Sequence, residues 1–159
     1  MTDIFTIGYG NRSINTFTNL LTQYGIATLI DVRSNPRSRF NPNYNMKSLK
    51  TILQSIGIEY LYMGEILGRK PRDEKLYKNG KLDYEAVNSL STYKAALHQL
   101  IELAENRSIC LCCCELNPNI CHRKTLIGDS LSKSSIIINH INERGLISVH
   151  STFRSLDLF

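Results

Sequence analysis

Five cysteines stand at positions 110, 112, 113, 114 and 121, all within one short segment. The run Cys112-Cys113-Cys114-Glu115-Leu116-Asn117-Pro118-Asn119-Ile120-Cys121-His122-Arg123 brings thiols, a carboxylate, an imidazole and a guanidinium close together in the chain. Strand alternation puts Cys113 and Glu115 on one face. Cys112 and Cys114 then face the other way, as small core residues. Asn117 or Asn119 is expected to cap the following helix, with Pro118 near its first position. Cys121, His122 and Arg123 fall in or near its first turn, where the helix dipole and Arg123 favour a thiolate. Four roles compete for this element. Cys121 or Cys113 is a nucleophile; Glu115 or His122 is a general acid or base; cysteine and histidine bind zinc; or the cysteines pack the core and His122 caps a carbonyl. The spacing does not match paired Cys-x-x-Cys ligand sets, so no metal ligands are assigned.

Two further segments carry chemistry. Gly8-Tyr9-Gly10-Asn11-Arg12-Ser13 is a glycine-containing turn leading into a helix. Such a turn offers backbone N–H groups and a positive dipole end to an anion, and Arg12 adds a charged fork. The alternative is a tight strand-to-helix turn with a surface arginine. The glycine spacing of a Walker or dinucleotide fingerprint is missing. Asp31-Val32-Arg33-Ser34-Asn35-Pro36-Arg37-Ser38-Arg39 holds an aspartate and an arginine two apart, hence on one face of a strand. Asp31 needs a partner if buried, and Arg33 or a ligand supplies one. Arg33, Arg37 and Arg39 suit phosphate or carboxylate recognition. The plainer reading is a structural Asp31–Arg33 pair with two solvated arginines.

The elements that must position these residues follow from periodicity. Ile4–Ile7 reads as a strand, and Ser13 caps a helix marked by Ile14, Phe17, Leu21 and Tyr24. Ile26–Val32 reads as a strand apolar on both faces until Asp31, as in a covered parallel sheet. A loop follows to Tyr44, then a helix capped by Asn45 and a strand over Ile58–Met63. Residues 64–84 read as a long basic loop with Arg69, Lys70, Arg72, Lys75, Lys78 and Lys81. A single helix is expected over Glu85–Glu105, a strand over Ser108–Cys114, and a helix over Cys121–Lys133. Strands over Ile136–Ile141 and Leu146–His150 complete the chain. The alternation predicts one α/β domain over residues 1–159. Its sheet is mainly parallel, with helices on both faces in three layers and a hairpin-like C-terminal strand pair. Ligands of such sheets bind beyond the carboxyl ends of the strands.

Composition narrows the classes. The chain of 159 residues is 42% hydrophobic, enough for a core and too much for disorder. No apolar run approaches the roughly 20 residues of a membrane span, and Met1-Thr2-Asp3-Ile4 does not open a signal peptide. A cytoplasmic location is the expectation. An odd number of cysteines in one segment argues against a disulfide framework and for reduced thiols. Nineteen basic against fourteen acidic residues give a net charge of +5, which suits an anionic partner.

At these elements the chain resembles a known family. Thr6-Ile7-Gly8-Tyr9-Gly10-Asn11-Arg12, Leu29 to Arg39, Leu111 to Glu115 and Cys121-His122-Arg123 look like the domain of unknown function DUF488. Gly57-Ile58-Glu59-Tyr60 and Glu65-Ile66-Leu67-Gly68-Arg69 match in order. The resemblance covers about the first 130 residues. It implies a compact α/β domain and the same polar strand ends, with no established reaction or cofactor. Many members have histidine where this chain has Tyr9, so no role for that histidine carries over. A Leu-Gly-Gly pattern is replaced here by Leu67-Gly68-Arg69.

The leading expectation is an enzyme, or degenerate enzyme, for a phosphate-bearing substrate such as a nucleotide or nucleic-acid end. Glu115 is its preferred acid or base and Cys121 its preferred nucleophile, with His122 and Cys113 as further candidates. Asp31 orients Arg33 or a substrate hydroxyl. Gly8, Tyr9, Gly10, Arg12, Arg33, Arg37, Arg39 and Arg123 bind the anion. Two alternatives are a non-catalytic nucleic-acid-binding or regulatory module that uses the same basic rim and the 64–84 loop, and a Cys/His metal or redox protein. No membrane partner is expected.

Overall fold

A computed structural model describes residues 2–151. Strands β1 (Thr2–Gly8), β2 (Thr28–Asp31), β3 (Glu59–Tyr62), β6 (Ile109–Cys113), β7 (Ile136–Ile141) and β8 (Ile147–Val149) form one sheet in the order β3-β2-β6-β1-β7-β8. All neighbours are parallel except β7 and β8, the antiparallel pair at the end. No helix among the described residues is long and apolar enough to cross a membrane.

Helices cover both faces. Helices α1 (Ile14–Gln23) and α2 (Met46–Ser55) place Phe17, Leu21, Leu49 and Leu53 against Ile7, Leu29, Cys110 and Cys112 of the sheet. On the other face, α3 (Gly64–Leu67), α4 (Tyr84–Ser89) and α5 (Ser91–Asn106) place Leu67, Val87, Tyr93 and Leu100 against Ile4, Ile30 and Leu111. A side chain as enclosed as Phe17 contributes roughly 1.5–3 kcal/mol by leaving water. Ser13 caps α1 as its residue type predicts, its hydroxyl accepting from the Thr16 N–H at 3.1 Å.

Four local expectations are corrected. The single helix over Glu85–Glu105 is two helices, because Leu90 adopts extended backbone between α4 and α5. Asn45 begins α2 in extended backbone, but its side chain does not cap the helix. That side chain instead accepts from the Ser38 N–H at 2.7 Å and pins the preceding loop. Cys114 is exposed rather than in the core, since β6 ends at Cys113 and the alternation stops there. The helix after Cys121 is π-helical over Arg123–Gly128 before one α-turn, α6 (Asp129–Leu131). Local π-helix often accompanies functional sites.

The basic segment 64–84 is largely structured. After α3 it forms a short hairpin from β4 (Tyr77–Lys78) and β5 (Lys81–Leu82). Asn79 and Gly80, with φ of 53° and 74°, make the left-handed turn that joins them. An Asn-Gly pair is a strong sequence signal for such a turn.

Candidate functional site

The carboxyl ends of β2, β6 and β1 lie side by side, so the three chemical segments meet at one sheet edge. Strand register divides them into two clusters. Asp31 pairs laterally with Cys112, and Gly8 with Cys113. Asp31 and Arg33 therefore fall on the α1–α2 face, and Cys113 falls on the opposite one.

On the first face, Asp31 is wholly buried and grips Arg33 through both carboxylate oxygens. Arg33 Nε donates to Oδ1 at 2.9 Å and Nη2 to Oδ2 at 2.7 Å. The Tyr60 hydroxyl donates to the same Oδ2 at 2.5 Å. Burial by itself would weaken the charge on Arg33, but its hydrogen bonds to Asp31 outweigh that and hold the guanidinium protonated. The guanidinium carbon sits 5.2 Å from the Tyr9 ring centroid, a cation–π contact. Tyr9 in turn stacks on Tyr44 with centroids 4.1 Å apart. Burial, reinforced by Cys114, pushes the Tyr9 phenol up to about 12, so it stays neutral. Among the described residues, Arg33 Nη1 is a buried donor on this face without a hydrogen-bond partner.

On the second face, Cys113, Cys121 and His122 are buried together, with one ligand-capable atom of each within 4.8 Å of the others. Cys113 Sγ lies 3.0 Å from Glu115 Oε2 and donates to it. His122 Nδ1 is 3.7 Å from Cys113 Sγ and 3.8 Å from Cys121 Sγ. His122 Nε2 lies 3.1 Å from the Val32 carbonyl oxygen, which can only accept. The proton of a neutral ring is thus on Nε2, and the Nδ1 lone pair faces the thiols. Contact with the Cys113 thiol and the charge of Arg123, against burial, lower the Cys121 thiol to about 5. The same contact with Cys121, together with burial, holds Cys113 protonated. Burial would raise the Glu115 carboxyl, but the Cys113 hydrogen bond leads the contributions that leave it below its ordinary value. None of the five cysteines is in a disulfide.

Two expected anion ligands are committed elsewhere. Arg123, with no exposed surface, donates from Nε to Thr6 Oγ1 at 3.1 Å, from Nη1 to the Glu115 carbonyl, and from Nη2 to the Leu116 carbonyl at 3.0 Å. Arg12 donates to the carbonyls of Gly8 at 3.0 Å and Asn142 at 2.5 Å. The N–H groups of Tyr9 and Gly10 are also taken, by the Cys113 and Cys114 carbonyls at 3.1 and 2.8 Å. The Gly8–Gly10 turn thus supports the chain leaving β6 and does not present its amides to an anion. Arg37 and Arg39 are exposed.

The basic segment supplies what reasoning from the three strand ends missed. Gly64 lets it lie against the rim, since a β-carbon there would stand 1.8 Å from the Arg33 carbonyl oxygen. The Lys70 N–H donates to Ser34 Oγ at 2.8 Å, and Arg69 Nη1 pairs with Glu115 Oε1 at 3.4 Å. A cleft of about 490 Å³ opens between Arg69, Lys70, Tyr77, Lys81 and Tyr84, and no acidic side chain among the described residues lines it. A neighbouring cleft of about 550 Å³ mixes Lys70 and Arg72 with Glu65 and Asp73. The run of cations in 64–84 was visible in the sequence, but its seat beside Glu115 was not.

No curated protein and no solved structure gives a significant match to this chain. The family model described as domain of unknown function DUF488 matches residues 13–128, which include Asp31, Arg33, the basic segment and the cluster of Cys113, Cys121 and His122. The match spans well over half of the chain, and the protein belongs to the DUF488 family.

Proposed function

We propose that this protein acts on a phosphate-bearing substrate of the nucleotide class, bound in the cleft between Arg69, Lys70 and Lys81. One observation carries the reading: Arg69 lines that cleft and also pairs with Glu115. Three cations without an acidic neighbour in the lining favour a dianion over a neutral ligand. Tyr77 and Tyr84 offer aromatic faces on which a base can stack. An incoming phosphate competes with Glu115 for Arg69 and frees the carboxylate to act as a general base beside the substrate. Cys121 has no exposed surface, which weighs against attack by its thiol on a substrate in this cleft. Arg12 and Arg123 act in this scheme as braces for the rim.

Isothermal titration with inorganic phosphate, mononucleotides and short oligonucleotides tests the reading. A mononucleotide should bind saturably and at least about tenfold more weakly to the Arg69→Ala/Lys81→Ala protein, equivalent to roughly 1.4 kcal/mol. Glu115→Gln should retain binding and lose turnover of the nucleotide that binds. Absence of binding by a folded wild type would sink the proposal. Tighter binding of oligonucleotides, with steep salt dependence and no turnover, would favour a nucleic-acid-binding module.

A further inference from the structure

We infer that Cys113, Cys121 and His122 form a zinc site. Three facts about the cluster point to it, and none depends on the nucleotide reading.

The first is the spacing of the donors. Zinc–sulfur bonds of about 2.3 Å and zinc–nitrogen bonds of about 2.0 Å at tetrahedral angles set sulfur and nitrogen roughly 3.5 Å apart. Here His122 Nδ1 stands 3.7 Å from one sulfur and 3.8 Å from the other. Both sulfur–nitrogen separations are thus close to the tetrahedral value, and the two sulfurs lie within 4.8 Å of each other.

The second is the orientation of the imidazole. The Val32 carbonyl holds the Nε2 proton at 3.1 Å and turns the Nδ1 lone pair toward both thiols. A ring N–H donated to a carbonyl behind the ligand is the usual support of a metal-binding histidine.

The third is charge balance in a buried place. Cys113, Cys121 and His122 are 4%, 0% and 2% exposed. A divalent ion with two thiolates and a neutral imidazole sums to zero, so the assembled site buries no net charge. The Cys113 proton leaves on binding, as zinc ligation through thiolate requires. Two sulfurs and one nitrogen favour zinc over magnesium or calcium, which prefer oxygen.

The chain spacing hid this set. Cys113 and Cys121 are eight residues apart, on a strand end and before a π-helical turn, while His122 directly follows Cys121. Three protein ligands leave a fourth position, the pattern of catalytic zinc. Glu115, whose side chain is 27% exposed and bonded to Cys113, is the carboxylate beside the cluster.

The test uses the full chain without a histidine tag. The protein as purified is analysed for metal by mass spectrometry, stripped with a chelator, and titrated with cobalt(II) as a spectroscopic stand-in. One equivalent of cobalt should give intense tetrahedral d–d bands and a thiolate-to-cobalt charge-transfer band, both abolished by one equivalent of zinc. Cys113→Ser and Cys121→Ser should each leave about half of the charge-transfer intensity, since one of two thiolates remains. His122→Gln should weaken cobalt binding at least about tenfold. Cys114→Ser, which alters an exposed thiol, should bind as the wild type does. The wild-type titration requires no variant to fold, and circular dichroism checks those that are used. Stripped, folded wild type that binds no cobalt, or binds it without the thiolate band, overturns the assignment. So does an undiminished band in both Cys113→Ser and Cys121→Ser.

Discussion

The carbonyl oxygen of Glu115 occupies the space that a β-carbon on Gly8 would need, 1.7 Å from the position of that carbon. Arg123 Nη1, which donates to the same carbonyl, would be 2.8 Å away. The end of β1 is thus the floor on which the chain leaving β6 is laid, and Arg123 is the clamp. This relationship sets the height of Glu115 above the sheet edge.

Gly8→Ala should therefore destabilise the fold and displace Glu115. Overpacking of this kind costs about 1–3 kcal/mol, and backbone contact puts this site at the upper end. Urea unfolding of the variant measures the loss. A change below about 0.5 kcal/mol would mean that the 115–116 segment moves freely off Gly8.

Asp31 and Arg33 make a buried, bidentate pair, so removing one partner leaves the other charge stranded. Asp31→Ala should cost about 3–5 kcal/mol, whereas Tyr60→Phe, which deletes one hydrogen bond to the carboxylate, should cost about 1.5 kcal/mol. The double replacement Asp31→Leu/Arg33→Met should recover most of the single-variant loss, because an apolar pair carries no desolvation penalty. Equilibrium unfolding of the three proteins checks this order. A double replacement as unstable as Asp31→Ala would mean that Arg33 has a role beyond the pair, for which its unpartnered Nη1 is the place to look.

Stability should also fall in mild acid through His140. Its Nδ1 lies 2.6 Å from Thr6 Oγ1 and its Nε2 lies 3.0 Å from His150 Nδ1. Burial, then the neighbouring His150, depresses His140 to about 3 in the folded protein. An unfolded histidine titrates near about 6.5. The unfolded chain therefore takes up the proton first. The stability contributed by neutral His140 is full above about pH 6.5 and is lost as pH falls toward the folded value, with a limiting slope of about 1.4 kcal/mol per pH unit. Urea midpoints between about pH 7 and pH 4 should decline less steeply in His140→Gln. Equal slopes in the two proteins would remove His140 as the cause.

Much of this protein is determined by local rules that one strand or helix contains within itself. Alternation of strands and amphipathic helices implies a covered parallel sheet. Two-residue spacing puts Asp31 beside Arg33 and Cys113 beside Glu115, and the structure makes both contacts. Ser13 caps its helix for the reason its hydroxyl predicts. Tertiary structure alone decided how these pieces combine. Period-two alternation tells which residues of one strand share a face, but only register between strands says which face of a neighbour it is. Because Asp31 pairs with Cys112 and not Cys113, the pair and the cysteine–histidine cluster lie on opposite sides of the sheet. The fate of each arginine was equally non-local. Arg12 and Arg123 are bound by carbonyls of Asn142, Glu115 and Leu116, partners set by chain crossings that no spacing encodes. Arg69, thirty-eight residues beyond Asp31 in a segment without strong periodicity, reaches Glu115 only because that segment folds back over the rim.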